Sequence, residues 1–166
     1  MNAGANGSEV CQVIKDVTYV TEKGEVEILS AEQLEFSYRI SSFQKRKGAI
    51  AAATFSLIPS EEARAKQLKI IEYRTRTQPY GDQSAGCIFR NPEEQSAGAL
   101  IEKSGLKGTR IGGAEVSLLH ANFIVNKADA TAEDILNLAH LVRNVVKEKT
   151  GVELEMEVRC IPYEGG

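Results

Sequence analysis

The chain has 166 residues, 42% of them hydrophobic, with a formal net charge of −3, which is enough apolar material for one sizeable core or two small ones. Its lysines and arginines are scattered rather than clustered, so charge gives no case for a nucleic-acid partner. No apolar run approaches the roughly 18 residues of a membrane span, and the first residues lack a signal peptide's basic and apolar regions, so no membrane partner and a cytoplasmic location are expected.

The N-terminal Met1-Asn-Ala-Gly-Ala-Asn-Gly7 is a turn-rich stretch with nothing before it to turn from. Val10 to Thr21 is rich in β-branched and aromatic residues and predicts a strand. Glu22 to Glu25 then turns the chain into Val26 to Leu29, making a hairpin. After a short turn at Ser30 to Leu34 comes Phe36 to Phe43, then a basic stretch, then a strand of small and β-branched residues over Ala49 to Ile58, ended by Pro59. Ser60 is the expected N-cap of a helix running to about Arg74 or Arg76, with Glu61 and Glu62 at the positive end of its dipole. Its polar composition predicts a solvated connecting helix, and a second unit is expected from Thr77, giving domains over 1–76 and 77–166.

Within that second unit, Gln95 to Ser104 reads as a short helix with Ala97, Leu100 and Ile101 on one side and Gly105 as the left-handed residue after it. Gly108 to Gly113 is a loop, and Val116 to Leu119 and Asn122 to Asn126 are short strands. Thr131 caps the clearest helix, in which Ile135, Leu138, Ala139, Val142 and Val146 form the stripe that packs on a sheet, with Gly151 at its end. His140 falls on its polar side. Glu153 to Ile161 alternates with a period of two, setting Leu154, Met156, Val158 and Cys160 on one face and Glu155, Glu157 and Arg159 on the other.

Three cysteines, Cys11, Cys87 and Cys160, have no C-x-x-C spacing, and His120 and His140 stand alone. Neither a disulfide framework nor a metal site is expected. The run Gln78-Pro-Tyr-Gly-Asp-Gln-Ser-Ala-Gly-Cys-Ile-Phe-Arg-Asn-Pro92 sets Cys87 in a turn among residues that fix backbone shape and let a large group approach closely. Three features carry candidate chemistry: Tyr38-Arg39 between strands, Cys87 on its loop and Glu157 on the terminal strand. An arginine fork binds a carboxylate, a carboxyl group can share a proton with an enolate, and a thiol with an ordinary pKa near 8.5 can donate a proton at neutral pH. Together they favour proton delivery to a carbanion over hydrolysis or acyl transfer, which would want a base beside the nucleophile. The alternatives are a half-buried thiol acting as a small hydrophobe and an ordinary solvent face on the last strand.

At this point a family resemblance becomes specific. Asn2-Ala-Gly-Ala-Asn-Gly7, Tyr38-Arg39 with Ser42-Phe43, Gln78-Pro79, Ser84-Ala-Gly-Cys-Ile-Phe-Arg-Asn-Pro92, Ala97-Gly-Ala-Leu-Ile-Glu102, Gly105-Leu-Lys-Gly108, Ile111-Gly-Gly-Ala114, His120-Ala-Asn-Phe-Ile-Val-Asn126 and Leu154-Glu-Met-Glu-Val-Arg159 resemble, in that order, the UDP-N-acetylenolpyruvoylglucosamine reductase family. The resemblance covers essentially the whole chain and maps it onto the latter part of the family's length.

It implies an α+β protein: the later part of a vanillyl-alcohol-oxidase-type FAD-binding domain followed by a small α+β substrate-binding domain. It also implies a flavoprotein of peptidoglycan synthesis, in which NADPH reduces FAD and the flavin hydride goes to C3 of the enolpyruvyl ether of a UDP-sugar. Arg39 then matches the residue that holds the substrate carboxylate, with Tyr38 beside it, and Glu157 the one that stabilises the enolate. Cys87 falls where most members carry a proton-donating serine. Arg90 and Asn91 match residues near the donor, where loop structuring and ligand contact are both open, and Arg76 could serve as the basic residue before this loop. Asn2, Gly4, Ala5 and Gly7 match the flavin-lining turn.

The family's glycine-rich dinucleotide anchor has no counterpart here, since neither Asn2 to Gly7 nor Ile111 to Ala114 has the strand-turn-helix context for a pyrophosphate. The chain is therefore expected to be a fragment whose partner is the missing N-terminal FAD-anchoring segment, and to be incomplete for turnover alone. The alternative is a non-catalytic module that binds a UDP-sugar or a partner chain.

Overall fold

The computed structural model describes residues 1–161. The backbone groups into two units, Met1–Glu61 and one from Glu62 onward.

In the first unit, β1 (Gly4–Ala5) and β2 (Ser8–Glu9) form a small antiparallel hairpin. Its two turn residues are Asn6 and Gly7, both at positive φ (52° and 79°), the backbone a tight hairpin loop demands and Asn-Gly supplies. The stretch that reads as an isolated turn is thus the tip of a hairpin. β3 (Ile14–Thr21) pairs antiparallel with β4 (Val26–Ser30), in the hairpin expected. The expected strand from Val10 is corrected at its start, because Val10–Gln12 is a 3-10 turn. The Gln12 side chain reaches back to accept from the Glu9 N–H at 3.0 Å, offering the backbone a local alternative to extension.

β5 (Phe36–Ser37) and β6 (Ile40–Ser41) make another hairpin with Tyr38 and Arg39 as its loop. β7 (Gly48–Phe55) completes a sheet of order β4-β3-β7, ending short of the expected Ile58. Val17, Tyr19, Leu29 and Leu34 are the buried core, with Ile14, Phe36 and Phe43 against them. The opposite face of the sheet carries exposed Val26 and Ile28.

The second unit opens with α1 (Ala63–Thr77), whose N-cap is Glu62 rather than the expected Ser60. The helix settles there because the Glu62 carbonyl accepts from the Lys66 N–H at 2.9 Å and its carboxylate meets Lys66 Nζ at 2.8 Å, an i,i+4 pair favourable in this order. The helix is exposed along its length, as expected, but so are its apolar Leu68 and Ile71.

β8 (Gln83–Cys87), α2 (Ala97–Lys103), β9 (Arg110–Ile111), β10 (Ala114–Val116), β11 (Phe123–Asn126) and α3 (Ala132–Thr150) follow. The antiparallel sheet has the order β8-β11-β10-β9, and α3 lies on it, touching β9, β10 and β11, with α2 beside it. Ala114, Val116 and Ile124 meet Leu100, Ile101, Leu138, Ala139, Val142 and Val146 in one core. Burying each of the larger side chains contributes about 1.5–3 kcal/mol. α3 follows the sequence closely: Thr131 caps it, the expected stripe is buried apart from partly buried Ile135, and Gly151 ends it in the left-handed region at φ 73°.

Three expectations change. The loop at Gly108 to Gly113 contains β9, hairpinned onto β10. The strand expected over Val116 to Leu119 ends at Val116, because Ser117 Oγ accepts from the N–H groups of Leu119 and His120 (3.2 and 3.4 Å) and turns the chain. The terminal strand is reduced to a single bridge, Met156 to Phe89. Its alternation still sets Leu154, Met156 and Val158 against the core, while Cys160 is exposed.

Candidate functional site

Cys87 ends a strand rather than sitting in a turn. It pairs with Phe123, and Ser84 pairs with Val125, so Ala85 and Gly86 together span the single Ile124. Such a two-against-one bulge bends a strand and re-aims the residue beside it. Gly86, at φ 84°, adopts the left-handed backbone the bulge needs. The small residues that read as a loop are the bulge, and Cys87 follows it, half-buried.

The next residues are held from two sides. Asn122, buried, accepts from the Phe89 N–H at 3.0 Å through Oδ1 and donates to the Phe89 carbonyl at 2.8 Å through Nδ2. Its carbonyl accepts from the Ile88 N–H at 2.9 Å. On the other side the Glu157 N–H donates to the Ile88 carbonyl at 2.8 Å and the Arg90 N–H to the Glu155 carbonyl at 2.9 Å. These two bonds flank the Phe89–Met156 bridge in the pattern of a close antiparallel pair. Cys87 and Glu157, 70 positions apart in sequence, therefore lie on touching strands of backbone.

Arg90 adds a side-chain tie, its Nη1 meeting Glu155 Oε1 at 3.0 Å. Asn91 Oδ1 accepts from the Ala97 N–H at 3.0 Å, satisfying a donor of the first turn of α2. Both residues thus structure the segment that follows Cys87. His120 packs edge-on against Phe123, ring centroids 4.8 Å apart, and its Nδ1 accepts from the Asn122 N–H at 3.2 Å. Burial, with the Lys107 ammonium nearby opposing its own backbone hydrogen bond, holds this imidazole below its ordinary 6.5. The neutral ring carries its proton on Nε2. Arg76 is exposed in the last turn of α1. A cleft lined by Tyr80, Arg110, Glu115, Leu118, Leu119 and Lys127 occupies another part of this unit and does not include Cys87, Asn91 or Glu157.

In the first unit, Arg39 stands at the tip of the β5–β6 hairpin with φ 57°. Its Nη1 donates to the Gly4 carbonyl at 3.0 Å and its guanidinium lies 5.1 Å from the centroid of the exposed Tyr38 ring. The two hairpins are thereby joined, and Gly4 is needed at the junction, since a Cβ there would stand 2.8 Å from Glu9 Cγ. Asn2 is buried and spends its amide internally, on Glu9 Oε2 (2.8 Å), Cys11 Sγ (3.4 Å) and the Cys11 N–H (3.0 Å). Ala5 and Gly7 are exposed, and a Cβ on Gly7 would meet nothing within 4 Å. The turn is open enough to lie against a flat ring system, so Ala5 and Gly7 fit a flavin-lining role, with Asn2 and Gly4 supporting the turn.

Asn122 and Glu155 are the positioning residues that sequence reading passes over. An asparagine opening an apolar run, as Asn122 does before Phe123-Ile-Val, is the available signal, because a buried amide needs backbone partners.

Residues 78–161 match the family model described as UDP-N-acetylenolpyruvoylglucosamine reductase, C-terminal domain. The chain is 55% identical over 164 residues to the UDP-N-acetylenolpyruvoylglucosamine reductase of Protochlamydia amoebophila, covering 99% of this chain and 55% of that protein. It is 44% identical over 164 residues to that of Chlamydia pneumoniae, covering 99% and 54%. The crystal structure of the Thermus caldophilus reductase matches with a TM-score of 0.81 at 36% identity, covering 98% of this chain and 58% of that one. The α+β fold and these likenesses place the chain in a family of reductases. More narrowly, it belongs to the UDP-N-acetylenolpyruvoylglucosamine reductase family. It spans about half the length of the curated relatives it matches.

Proposed function

We propose that this chain supplies the substrate-binding and proton-donating part of a reductase that converts UDP-N-acetylglucosamine enolpyruvate to UDP-N-acetylmuramate in peptidoglycan synthesis. The observation that carries the reading is the hydrogen bond from the Glu157 N–H to the carbonyl of Ile88, the residue after Cys87, which sets a carboxyl-bearing and a thiol-bearing segment side by side.

FAD, re-reduced by NADPH, would supply the hydride that adds to C3 of the enolpyruvyl group, and Ala5 and Gly7 are the residues here that would line it. Hydride addition breaks the C=C π bond and leaves its electron pair at C2, conjugated with the carboxylate. Cys87 donates its S–H proton to C2, and the resulting thiolate is reprotonated from solvent. Glu157 stabilises the enolate by sharing a carboxyl proton with it. Arg39, beside Tyr38, holds the substrate carboxylate. Asn91 keeps its Nδ2 for the UDP-sugar, as Arg90 keeps the guanidinium N–H groups not spent on Glu155, and Arg76 offers a phosphate partner. A cytoplasmic location follows from the same reading; among the described residues no helix is long and apolar enough to cross a membrane. The partner in turnover is a polypeptide equivalent to the relatives' remaining half.

The test is calorimetric titration with UDP-N-acetylglucosamine enolpyruvate, followed by NADPH oxidation in the presence of FAD and a polypeptide equivalent to the relatives' remaining half. Sugar-dependent oxidation that Cys87→Ala abolishes and Cys87→Ser keeps is the expected result. Equal turnover in Cys87→Ala overturns the donor assignment. Binding without turnover supports a second reading, a UDP-sugar-binding module, which the half-length match to the relatives favours. Absence of binding overturns both.

A further inference from the structure

We propose that Arg90 and Glu155 form a positioning pair, which holds Glu157 in register with Ile88, the residue after Cys87. The inference rests on the reading of Cys87 and Glu157 as one site. The segment that carries Glu157 packs on the core through Leu154, Met156 and Val158. A single bridge, Phe89–Met156, joins it to the donor strand. Beyond that bridge Val158 is only partly buried, and Arg159, Cys160 and Ile161 are exposed. A lone bridge with two backbone hydrogen bonds is a short ladder, and a segment exposed past it opens readily.

The ion pair closes the end of this ladder opposite to Glu157. Arg90 and Glu155 are directly opposed across it, joined by the Arg90 N–H to Glu155 carbonyl bond at 2.9 Å and again by Nη1 to Oε1 at 3.0 Å. The two partners differ in exposure: the Arg90 side chain is 20% exposed and that of Glu155 69%. Arg90 Nε is buried with no hydrogen-bond partner among the described residues. A guanidinium so enclosed is fixed in place, and its fork holds the mobile carboxylate rather than the reverse. Because cross-strand side chains alternate, Glu155 and Glu157 leave the segment on the same face. Fixing the first therefore fixes the direction of the second. A slip of one residue would turn Glu157 into the core and Met156 out of it.

The experiment reads the charge of Glu157 at Cys87. Iodoacetamide modification of Cys87 at constant pH is followed by peptide mass spectrometry, which separates it from Cys11 and Cys160. Each protein is compared with its Glu157→Gln counterpart. With the native pair, removing the Glu157 charge is expected to speed modification about threefold, since a nearby carboxylate disfavours the thiolate. In a Glu155→Gln background, a change at an exposed side chain that leaves the core untouched, the ratio is expected to fall toward one. In the charge-reversed pair, Arg90→Glu with Glu155→Arg, it returns toward threefold. A ratio unchanged by Glu155→Gln overturns the positioning role and leaves the site intact. A ratio of one already in the native background overturns the shared site itself, so the two failures are told apart.

Discussion

Asn122 stands in for a strand residue opposite Phe89, its side-chain amide taking the Phe89 N–H at 3.0 Å and giving its own N–H to the Phe89 carbonyl at 2.8 Å. Both backbone groups are buried, so removing the amide strands a donor and an acceptor together. At about 1–3 kcal/mol for each unsatisfied group, Asn122→Leu should cost about 2–4 kcal/mol of unfolding free energy in a urea titration. A loss below about 1 kcal/mol would mean that Phe89 finds other partners and that Asn122 does not set the path of the Cys87 segment.

The bulge before Cys87 makes a separate prediction. Nothing lies within 4 Å of a Cβ built on Gly86, but its φ is 84°. Gly86→Ala therefore meets no clash and is penalised only by the left-handed backbone, by about 1–2 kcal/mol. Asn, which tolerates that region, should cost less than Ala at the same site. Equal destabilisation by the two residues in thermal melts would show that space, not backbone conformation, reserves this position for glycine.

The sequence was most legible where one local rule decided the outcome. Thr131, the Leu138, Ala139, Val142 and Val146 stripe and Gly151 each point to the same helix, and α3 follows them. Cys87 was harder, because small and glycine residues signal turns and bulges alike. Only the partner strand, with Ile124 facing both Ala85 and Gly86, distinguishes the two. The alternation from Glu153 to Ile161 gave the correct faces for Leu154, Met156 and Val158 but not the length of pairing. Periodicity records which side faces a core and says nothing of whether a neighbouring strand exists. Ser60 misled for a comparable reason: it suits an N-cap, yet the Glu62–Lys66 pair draws the helix start two residues on. The closeness of Glu157 to Ile88 is a long-range hydrogen bond, and no local pattern encodes it.

His120 predicts a pH dependence of stability. Its imidazole is held below 6.5, chiefly by burial, so between 6.5 and that lowered value the unfolded chain binds a proton that the folded chain refuses. Stability is then complete above the ordinary histidine value and falls as pH drops through this window. Melting temperatures measured from pH 7.5 down to 5 should decline, and His120→Gln should flatten the decline. An unchanged slope in His120→Gln would place the titrating group elsewhere.

A second pH effect, of opposite chemical origin, lies at the start of α3. Thr131 Oγ1 accepts from the Asp134 N–H at 3.1 Å, and Asp134 Oδ2 accepts from the Thr131 N–H at 3.0 Å. The backbone N–H of Thr131, opposed by desolvation and helped less by the Thr131 hydroxyl and the Gly113 N–H, holds the Asp134 carboxyl below its ordinary 3.8. The folded chain thus keeps this carboxylate ionised to lower pH than the unfolded chain does. Its contribution is full above the ordinary value and is lost as pH falls through the depressed one. Thr131→Ala should cost about 1 kcal/mol at neutral pH through the missing cap. Asp134→Asn should weaken the same helix end while removing its share of the acid sensitivity. Unfolding measured at pH 7 and again near pH 3 separates the two, since Thr131→Ala should retain part of the acid slope that Asp134→Asn removes. Identical acid slopes in both variants and the parent would show that the carboxylate does not act through its charge at this helix end.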